Sequence, residues 1–276
     1  MVGTNGTVAR LAALGDLHCT EDSAGQLQPM FSQIAEAADI LCLCGDLTDH
    51  GFPAQAQVLA KELSTSAHKI PTVAVLGNHD YESGHASEVR QILHDTGVTV
   101  LDGEAVQIRG VGIAGAKGFG GGFGRGTLSA FGEPAVKAFV HEAIEEALKL
   151  ETALQRLRTN NRIALLHYAP IRGTVEGEPP EIFCFLGCSR LEEPLNRFQV
   201  TAALHGHAHR GAAEGKTSAG VPVYNVSLPL MRRTYPTRPP FRLLTLQVEP
   251  TTPPPRADTT AAEEPVETAV EARARE

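Results

Sequence analysis

A short apolar run that stops at a glycine, with a carboxylate directly after it, constrains this chain more than any other feature. Residues 41–44 read Leu-Cys-Leu-Cys, and Gly45 and Asp46 follow them. Continuous apolar runs are typical of parallel strands that are buried on both faces. Because α/β proteins bind their ligands just beyond the carboxyl ends of such strands, Asp46 stands where a functional side chain is expected.

The same arrangement recurs elsewhere in the sequence. Four further apolar runs each lead into residue types that bind metal ions, and they lie at 11–14, 73–76, 163–166 and 202–204. The residues that follow them are Asp16, His18, Asn78, His79, Asp80, His167, His205, His207 and His209. We interpret the five blocks as a scaffold for a site of two metal ions, with Asp46 as the ligand that bridges them.

Helix and strand patterns alternate in the first third of the chain. Strands are predicted at 8–14, 40–44 and 71–76, and helices at 26–38, 54–66 and 84–96. This βαβαβα order predicts a parallel sheet that is covered by helices. Short strand-like pieces then follow, separated by glycines in a way that suits hairpins, at 98–101, 104–108 and 111–115.

The remainder of the chain predicts a second sheet. A long amphipathic helix is expected at 134–158 and a short helix near 189–198. Strand patterns are present at 162–166, 200–204, 212–217, 221–226 and 241–248. The fold class indicated by these patterns is α/β.

Two segments are predicted to lack regular structure. Residues 115–126 contain too many glycines for the interior of a strand or helix, which predicts a flexible loop. This loop is either a lid that carries Lys117 and Arg125 or a plain surface loop. From residue 249 the chain is rich in Pro, Thr, Ala and Glu, and such a composition cannot offset the entropy of ordering. We therefore expect one domain at 1–248 and a disordered tail at 249–276.

Charge and cysteine content argue against several classes of protein. The formal net charge of −8 gives no support to binding of a nucleic-acid backbone over the whole surface. The five Cys residues are scattered and odd in number, which favours a reducing compartment over a disulfide framework. The amino terminus lacks a signal-peptide pattern, and no apolar stretch approaches the roughly 20 residues that span a bilayer. We expect a cytoplasmic protein without membrane contact.

The candidate ligands form a mixed set of carboxylate, imidazole and amide groups, which suits Mn, Fe or Zn. Asp16 and His18 lie two residues apart, so an extended backbone turns both to the same side, and His207 and His209 repeat this spacing. Two ions that share Asp46 would lie about 3.5–4 Å apart. They would turn a bridging water into a hydroxide that attacks phosphorus in line, and would neutralise charge on the phosphoryl oxygens.

The leaving group of such a reaction needs a proton. His79 stands beside Asn78 without having to bind metal, and imidazole titrates near neutral pH. We therefore expect His79 to be the general acid and Asp80 to be its orienting partner. The residues that we expect to contact the substrate are Asn78, His79, Arg125 and Arg232.

Several other residues favour structural roles. Asp49 is expected to support its loop by hydrogen bonding, and His205 to lie in the core or behind the ligands. Cys19 follows His18 but is a poor candidate nucleophile when a metal-bound hydroxide is available. Arg232 and Arg233 belong either to a cluster that grips a phosphate or a base, or to a solvated basic loop.

The five blocks resemble the motifs of the calcineurin-like metallophosphoesterase superfamily. The matching segments are Gly15-Asp16-Leu17-His18, Gly45-Asp46-Leu47-Thr48-Asp49, Gly77-Asn78-His79-Asp80, His167 and Gly206-His207-Ala208-His209. The resemblance implies a four-layer αββα sandwich of two mixed sheets flanked by helices. It also implies that one ion is held by Asp16, His18, Asp46 and His209, and the other by Asp46, Asn78, His167 and His207. In that scheme His79 contacts the phosphate and the leaving group.

Within this superfamily, the pairing of Asp16-x-His18 with Asn78-His79-Asp80 resembles the class III cyclic-nucleotide phosphodiesterases. We therefore expect a phosphodiesterase that acts on a small-molecule phosphoester. The alternatives are a phosphomonoesterase or pyrophosphohydrolase of the same fold, a nuclease, and a binding protein that has lost turnover. The acidic net charge does not support a nuclease. A binding protein should lack a ligand or the acid, and none is missing. The sequence makes no prediction of oligomeric state.

Overall fold

The structure, a computed structural model, describes residues 7–67 and 69–248, whose strands form two sheets. The strands are β1 Thr7–Leu14, β2 Ile40–Cys44, β3 Thr72–Val75, β4 Val98–Val100, β5 Glu104–Ile108, β6 Val111–Gly115, β7 Asn161–Leu165, β8 Ala202–His205, β9 Glu214–Lys216, β10 Pro222–Asn225 and β11 Arg242–Val248. One sheet has the order β11-β1-β2-β3-β4, and the other has the order β5-β6-β7-β8-β10-β9.

Parallel pairing forms the centre of both sheets. In the five-stranded sheet β1 to β4 are parallel, and β11 joins β1 in the antiparallel direction. In the six-stranded sheet β6, β7, β8 and β10 are parallel, while β5 and β9 are antiparallel to their neighbours. Both sheets are therefore mixed, as the resemblance implies.

Eight α-helices lie among the described residues, and several of them cover the outer faces of the sheets. They are α1 Gln28–Ala37, α2 Pro53–Ala67, α3 Asn78–Tyr81, α4 Ala86–Asp95, α5 Pro134–Gln155, α6 Phe183–Leu186, α7 Glu192–Arg197 and α8 Leu228–Thr234. Apolar side chains of α1, α2 and α4 pack on the five-stranded sheet. Those of α5 and α7 pack on the six-stranded sheet.

The alternation of side chains along each strand explains the four layers. Leu11 of β1 belongs to the core between the sheets, together with Ile163 of β7. Leu14, on the opposite face of β1, belongs to the outer core with Phe31 of α1 and Leu59 of α2. Both faces of the strand are buried over residues 11–14, and this part of its sequence is a continuous apolar run. The predicted αββα sandwich is confirmed.

The hairpin predicted to include residues 98–101 is wrong. β4 pairs in parallel with β3 at the edge of the five-stranded sheet, whereas β5 and β6 form the hairpin in the other sheet. The turn at Asp102 and Gly103 therefore carries the chain from one sheet to the other. A turn signal alone does not reveal which strand its flanking segments join.

Most of the glycine-rich loop is packed, and only its last turn at 124–126 is exposed, so the lid and the plain surface loop stay alternatives for that turn alone. Gly121 and Gly122 donate their N–H groups to the carbonyls of Cys184 and Gly187 at 2.6 and 2.9 Å, and residues 120–123 are buried. A Cβ on Gly121 would lie 2.8 Å from the sulfur of Cys188. The glycines therefore allow two backbones to approach closely.

A helix occupies the segment of Arg232 and Arg233, for which the sequence left a ligand-gripping cluster and a solvated basic loop as alternatives. α8 begins at Leu228, and Pro229 occupies its first turn, a favoured position for proline. Leu228, Leu230 and Met231 bury one face of the helix, so its remaining residues are turned outward. This placement decides which of its arginines can reach the carboxyl ends of the strands.

Two further expectations concern the ends of the chain and membranes. The predicted tail at 249–276 lies outside the described residues, and one domain at 1–248 stays a prediction. Among the helices described here, none combines the length and the apolar character needed to cross a bilayer. The longest, α5, has 22 residues and includes the charged side chains of Glu142, Glu145 and Lys149.

Glu62 of α2 links that helix to the start of α1. Its side chain is 1% exposed, and its carboxylate accepts N–H groups from Gly25, Leu27 and Gln28 at 2.6, 2.8 and 3.1 Å. The first N–H groups of a helix have no partner within their own helix, so the carboxylate satisfies donors that would otherwise be unpaired.

We predict that Glu62→Ala lowers the free energy of unfolding by roughly 2–4 kcal/mol, because several N–H donors lose their acceptor in a buried setting. Glu36→Ala, at an exposed position of α1, is the matched control and should change stability by less than about 0.5 kcal/mol. Urea unfolding of both variants measures the difference. Equal stability of the two would contradict this role of Glu62.

Candidate metal centre

The candidate ligands follow five strands whose carboxyl ends meet. β1, β2 and β3 are neighbours in one sheet, and β7 and β8 are neighbours in the other. The N–H of Asp16 donates to the carbonyl of Gly45 at 2.9 Å, and the N–H of Gly206 donates to the carbonyl of His167 at 3.1 Å. Between the sheets, Nδ1 of His167 lies 2.9 Å from the carbonyl oxygen of Cys44. The two sheets thus end in one hydrogen-bonded network.

Four candidate ligands have a left-handed backbone. The φ angle is 56° at Asp16, 45° at His18, 47° at Asp46 and 68° at His207. This conformation is uncommon for residues other than glycine and costs about 1–3 kcal/mol at each position. Strain of this kind persists where the surrounding structure imposes it, and it is concentrated at functional sites. The backbone conformation and the residue types therefore indicate the same loops as the functional site.

Gly77 and Gly206 precede candidate ligands at places where no side chain would fit. A Cβ on Gly77 would lie 2.1 Å from Oδ1 of Asp46, and a Cβ on Gly206 would lie 2.1 Å from Oδ2 of Asp16. Each glycine allows the backbone of one block to pack against the carboxylate of another. The N–H of His207, for example, donates to Oδ1 of Asp16 at 2.9 Å.

Four groups of side chains among the described residues could each hold a cation, one of which is His18, Asp46 and His79. Two others contain only predicted ligands. The ligand atoms in each group lie within 4.8 Å of one another, and these two groups are Asp16, His18 and His209, and Asp46, His167 and His207. Asp46 faces both groups, because its Oδ1 lies 3.3 Å from Nε2 of His167 and its Oδ2 lies 4.0 Å from Nε2 of His18. The position matches the predicted bridge, and the roles of the individual ligands stay predictions.

Asn78 and the backbone of Phe185 complete the surroundings of the second group. Oδ1 of Asn78 lies 2.9 Å from Nε2 of His167, so the amide oxygen reaches the same space as the imidazole. Nε2 of His207 lies 3.2 Å from the carbonyl oxygen of Phe185. Because a carbonyl oxygen only accepts, Nε2 carries the proton of His207, and Nδ1 is left available to an ion.

His18 has an imidazole nitrogen that is positioned for a ligand. Its Nε2 is buried and has no hydrogen-bond partner among residues 7–67 and 69–248. Its Nδ1 lies 3.2 Å from Oδ1 of Asp49, which fixes the tautomer and leaves the lone pair on Nε2. A buried nitrogen without a partner is costly, and an ion between His18 and the carboxylates of Asp16 and Asp46 would satisfy it. The residues present therefore fit a divalent cation.

Burial and charge together set the protonation of the second group. Burial is the largest influence on Asp46 and opposes its ionisation, but the charge and hydrogen bond of His167, together with the N–H of His79, hold the pKa of Asp46 below its usual range. Burial also opposes protonation of His167, yet the charge of Asp46 raises the pKa of His167 above its ordinary value. Burial lowers the pKa of His207 to about 3, so this imidazole is neutral and can donate a lone pair. A metal ion can replace the positive charge beside Asp46.

His79 is held at the edge of the two groups by its backbone and its ring. Its N–H donates to Oδ1 of Asp46 at 2.9 Å, and its ring meets that of His18 edge-on, with centroids 4.6 Å apart. Its Nδ1 lies 2.6 Å from the carbonyl oxygen of Asp49, so Nδ1 keeps a proton and Nε2 is the nitrogen that exchanges one. The side chain is 35% exposed and thus open to a substrate.

Asp80 does not orient the ring of His79, which corrects the expectation. Its buried carboxylate accepts N–H groups from Thr48 and Gly77, both at 2.8 Å. Asp80 therefore fixes the loop after β2 to the loop after β3. Residues 79 and 80 are successive positions of α3 and project in different directions, so the carbonyl of Asp49 contacts the imidazole instead.

The two arginines expected to contact the substrate are exposed. Arg125 lies on a turn at 124–126, and Arg232 lies on the outer side of α8. Arg233 donates from Nη1 to the carbonyl oxygen of His209 at 2.9 Å. Because successive residues of a helix point about 100° apart, Arg233 rather than Arg232 reaches the histidine loop. Substrate contacts by Arg125 and Arg232 stay predictions.

Sequence reasoning missed His50 and Glu82. Nδ1 of His50 lies 3.0 Å from Oε2 of Glu82, which is itself 3.8 Å from Nδ1 of His79. These three side chains form another group that could hold a cation. The available signal was that His50 directly follows Asp49 in one of the five blocks.

His205 and Cys19 have the surroundings of structural residues. Nε2 of His205 lies 2.8 Å from Oγ1 of Thr174, and burial lowers the pKa of His205 to about 4. Burial raises the pKa of the Cys19 thiol to about 11, so the reactive thiolate is scarce at neutral pH. Both observations agree with the roles favoured by the sequence.

We predict that Asp49→Ala weakens metal binding by about 10–100-fold, because the imidazole of His18 loses the carboxylate that fixes its tautomer. Isothermal titration of Mn²⁺ into metal-free protein measures the affinity. Asp95→Ala removes an exposed carboxylate from α4 and is the control, with no change expected. An Asp49→Ala protein that binds Mn²⁺ as tightly as the control would contradict this prediction.

Comparisons with known proteins agree with this geometry. Residues 9–211 match the family model described as calcineurin-like phosphoesterase. Among solved structures, phosphopantetheinyl hydrolase from Mycobacterium tuberculosis is similar at a TM-score of 0.62 and 15% identity, over 87% of this chain and 96% of that chain. GAP50, described as the anchor in the inner membrane complex of Plasmodium, is similar at a TM-score of 0.53 and 12% identity, over 81% and 73%. No curated protein sequence matches the chain.

The likeness to the solved structures is a likeness of fold, because the identities are low. The family match rests on the sequence itself and covers most of the chain, including the blocks that carry Asp16, Asp46, His79, His167 and His209. The family uses divalent metal ions, and the two groups of His and Asp residues are suited to hold them. The chain therefore belongs to the calcineurin-like phosphoesterase family and is a metal-dependent phosphoesterase.

Proposed function

We propose that this protein is a phosphodiesterase with a dinuclear metal centre, that it acts on a small phosphodiester in the cytoplasm, and that His79 is its general acid. The observation that carries the proposal is the position of Asp46, whose two carboxylate oxygens face separate groups of ligands. The five cysteines are free, in keeping with a reducing compartment.

The proposed ligands divide between two divalent ions of Mn, Fe or Zn. Asp16, His18, Asp46 and His209 would hold one ion, and Asp46, Asn78, His167 and His207 the other. When bound, such ions activate water as a nucleophile at neutral pH and neutralise charge on a phosphoryl group. The chain contributes a rigid arrangement, because backbone N–H groups, glycines and left-handed residues fix both carboxylates.

His79 has the contacts that a general acid needs. The hydrogen bond from Nδ1 to the carbonyl of Asp49 fixes the ring and leaves Nε2 to give a proton to the leaving oxygen. The bond from the His79 N–H to Oδ1 of Asp46 fixes the distance between the acid and the bridging carboxylate. A leaving group next to His79 would depart on the side of the site where His18 and His50 lie.

A phosphomonoesterase or a pyrophosphohydrolase of the same fold is the second candidate. All three reactions use the same metal groups and the same acid, so the ligands alone do not distinguish them. The diester is favoured by the surroundings of His207, where the lining beside the second group is mainly aromatic and aliphatic. The ammonium of Lys117, which lies over the Tyr168 ring, is paired with Glu142 at 3.6 Å. A monoester dianion calls for cationic partners at that position.

We predict that Asp46→Ala lowers kcat/KM for bis(p-nitrophenyl) phosphate by more than about a hundredfold and lowers the metal content of the purified protein, because both groups lose a ligand. Asp95→Ala is the control. Mn²⁺-dependent release of nitrophenolate measures activity, and atomic emission measures metal content. Wild-type activity of Asp46→Ala in the presence of EDTA would falsify the proposed centre.

We predict that His79→Ala retains its metal but lowers kcat by about 10²–10⁴-fold for esters with poor leaving groups, which depend on protonation. The loss should be much smaller for p-nitrophenyl esters, because nitrophenolate leaves without a proton. A leaving-group series on His79→Ala and on the exposed control His94→Ala makes the comparison. A loss that is equal for all leaving groups would rule out the general acid.

A further inference from the structure

A continuous row of aromatic rings leads away from the second ligand group. The ring of His207 lies 4.5 Å from that of Tyr168, and Tyr168 lies 5.7 Å from Phe119, measured between centroids. Phe119 lies 4.8 Å from Phe139, which meets Phe185 edge-on at 6.0 Å. The row thus begins at a candidate metal ligand and ends at α6.

These rings surround a cavity of about 340 Å³ that opens directly beside the ligands. Its lining includes Asn78, Phe119, Tyr168, Ile182, Phe185 and His207. None of the described residues that line it is an acid, a lysine or an arginine. Ligand pockets measure about 300–1,000 Å³ and are mostly apolar with a few polar groups, which here are Asn78 and His207. The ammonium of Lys117 lies 4.8 Å from the ring centroid of Phe119, but Glu142 at 3.6 Å balances its charge. The cavity therefore has the size and chemistry of a subsite for a neutral group.

The mouth of the cavity exposes large apolar side chains. Phe185 is 57% exposed and Ile182 is 38% exposed, although both lie in a segment whose backbone is tightly held. The carbonyl of Phe185 contacts Nε2 of His207, and the N–H of Gly121 donates to the carbonyl of Cys184. Apolar side chains that are exposed on a fixed backbone beside a reactive site are typical of ligand contacts.

The cavity and the ring of the general acid contact different histidines of the site. The ring of His79 contacts the rings of His18 and His50, whereas the cavity begins at His207, whose neighbours are His167 and Tyr168. A substrate that places its leaving oxygen at Nε2 of His79 therefore does not place its leaving group in the cavity. The cavity can therefore bind the ester group that remains on phosphorus.

We infer that the aromatic cavity binds an apolar, preferably aromatic, ester group that is retained on phosphorus after hydrolysis. The inference rests on the proposed phosphodiesterase activity and makes it more specific, since a monoester has no second ester group to fill the cavity. Lys117 lies over the rings of Phe119 and Tyr168, so these rings offer a planar group their edges and remaining faces. Phe185 and Ile182 line the same cavity.

The test varies the retained group and keeps the leaving group constant. Methyl p-nitrophenyl phosphate and phenyl p-nitrophenyl phosphate both release nitrophenolate, so differences in kcat/KM report on the group that stays. For the Mn²⁺-loaded wild-type protein we expect kcat/KM of the phenyl ester to exceed that of the methyl ester by at least about tenfold. Equal values would overturn the inference while leaving the proposed activity intact.

Two variants assign the preference to the cavity. Phe185→Ala and Ile182→Ala truncate exposed side chains, so folding is preserved, and Phe185→Ala keeps the carbonyl that contacts His207. Each should reduce the phenyl-to-methyl ratio to within about threefold of unity. Phe131→Ala is the matched control, because this 82% exposed ring does not line the cavity. A wild-type ratio in both cavity variants would overturn the inference.

A binding measurement separates the cavity from the chemistry. Isothermal titration compares diphenyl phosphate with dimethyl phosphate on the Mn²⁺-loaded protein, and it requires no turnover. Tighter binding of diphenyl phosphate that is lost in Phe185→Ala but kept in Phe131→Ala supports the cavity as a subsite. If the protein shows this binding but hydrolyses neither ester, only the proposed activity is wrong. Equal binding of the two phosphates would overturn the cavity as a subsite.

Discussion

The carboxylate of Asp46 is a negative charge held at the junction of two sheets, and the rest of the site depends on how that charge is balanced. Asp46 is 1% exposed, so water cannot stabilise it. A buried charge is tolerated only when it is paired and hydrogen-bonded. Here the partners are the N–H of His79, the imidazole of His167 and, across the other oxygen, that of His18. Cations bound between these groups would complete the balance.

The fold holds the loops that carry these charged groups in fixed positions. Apolar cores on both faces of each sheet fix the strands, and the strand ends are joined by backbone hydrogen bonds between neighbouring loops. Gly77 and Gly206 then allow backbone to approach carboxylate, and the left-handed conformations of Asp16 and Asp46 set the direction of the side chains. Backbone strain is accepted at the site because the surrounding layers hold it in place.

Much of this arrangement could be predicted because buried parallel strands and the residues after them are local signals. β2 spans Ile40–Cys44, the predicted 40–44. The packing of the glycine-rich loop was harder to predict, because glycine is the residue expected both in a flexible loop and where two backbones pack closely. Its partner at 184–188 lies some sixty residues further along the chain. Arg233, and not Arg232, contacts the histidine loop because of the orientation of α8, and this helix was not predicted from the sequence. The ring of His79 contacts a backbone carbonyl and not Asp80. Every residue has such a carbonyl, so the sequence could not predict this contact.

The decisive measurement is the anomalous scattering of a crystal grown with Mn²⁺. Two manganese peaks should lie about 3.5–4 Å apart, with one oxygen of Asp46 directed at each or one shared between them. The first peak should lie beside Asp16, His18 and His209, and the second beside His167 and His207. A single peak, or two peaks that do not share Asp46, would contradict the dinuclear centre on which the proposed reaction depends.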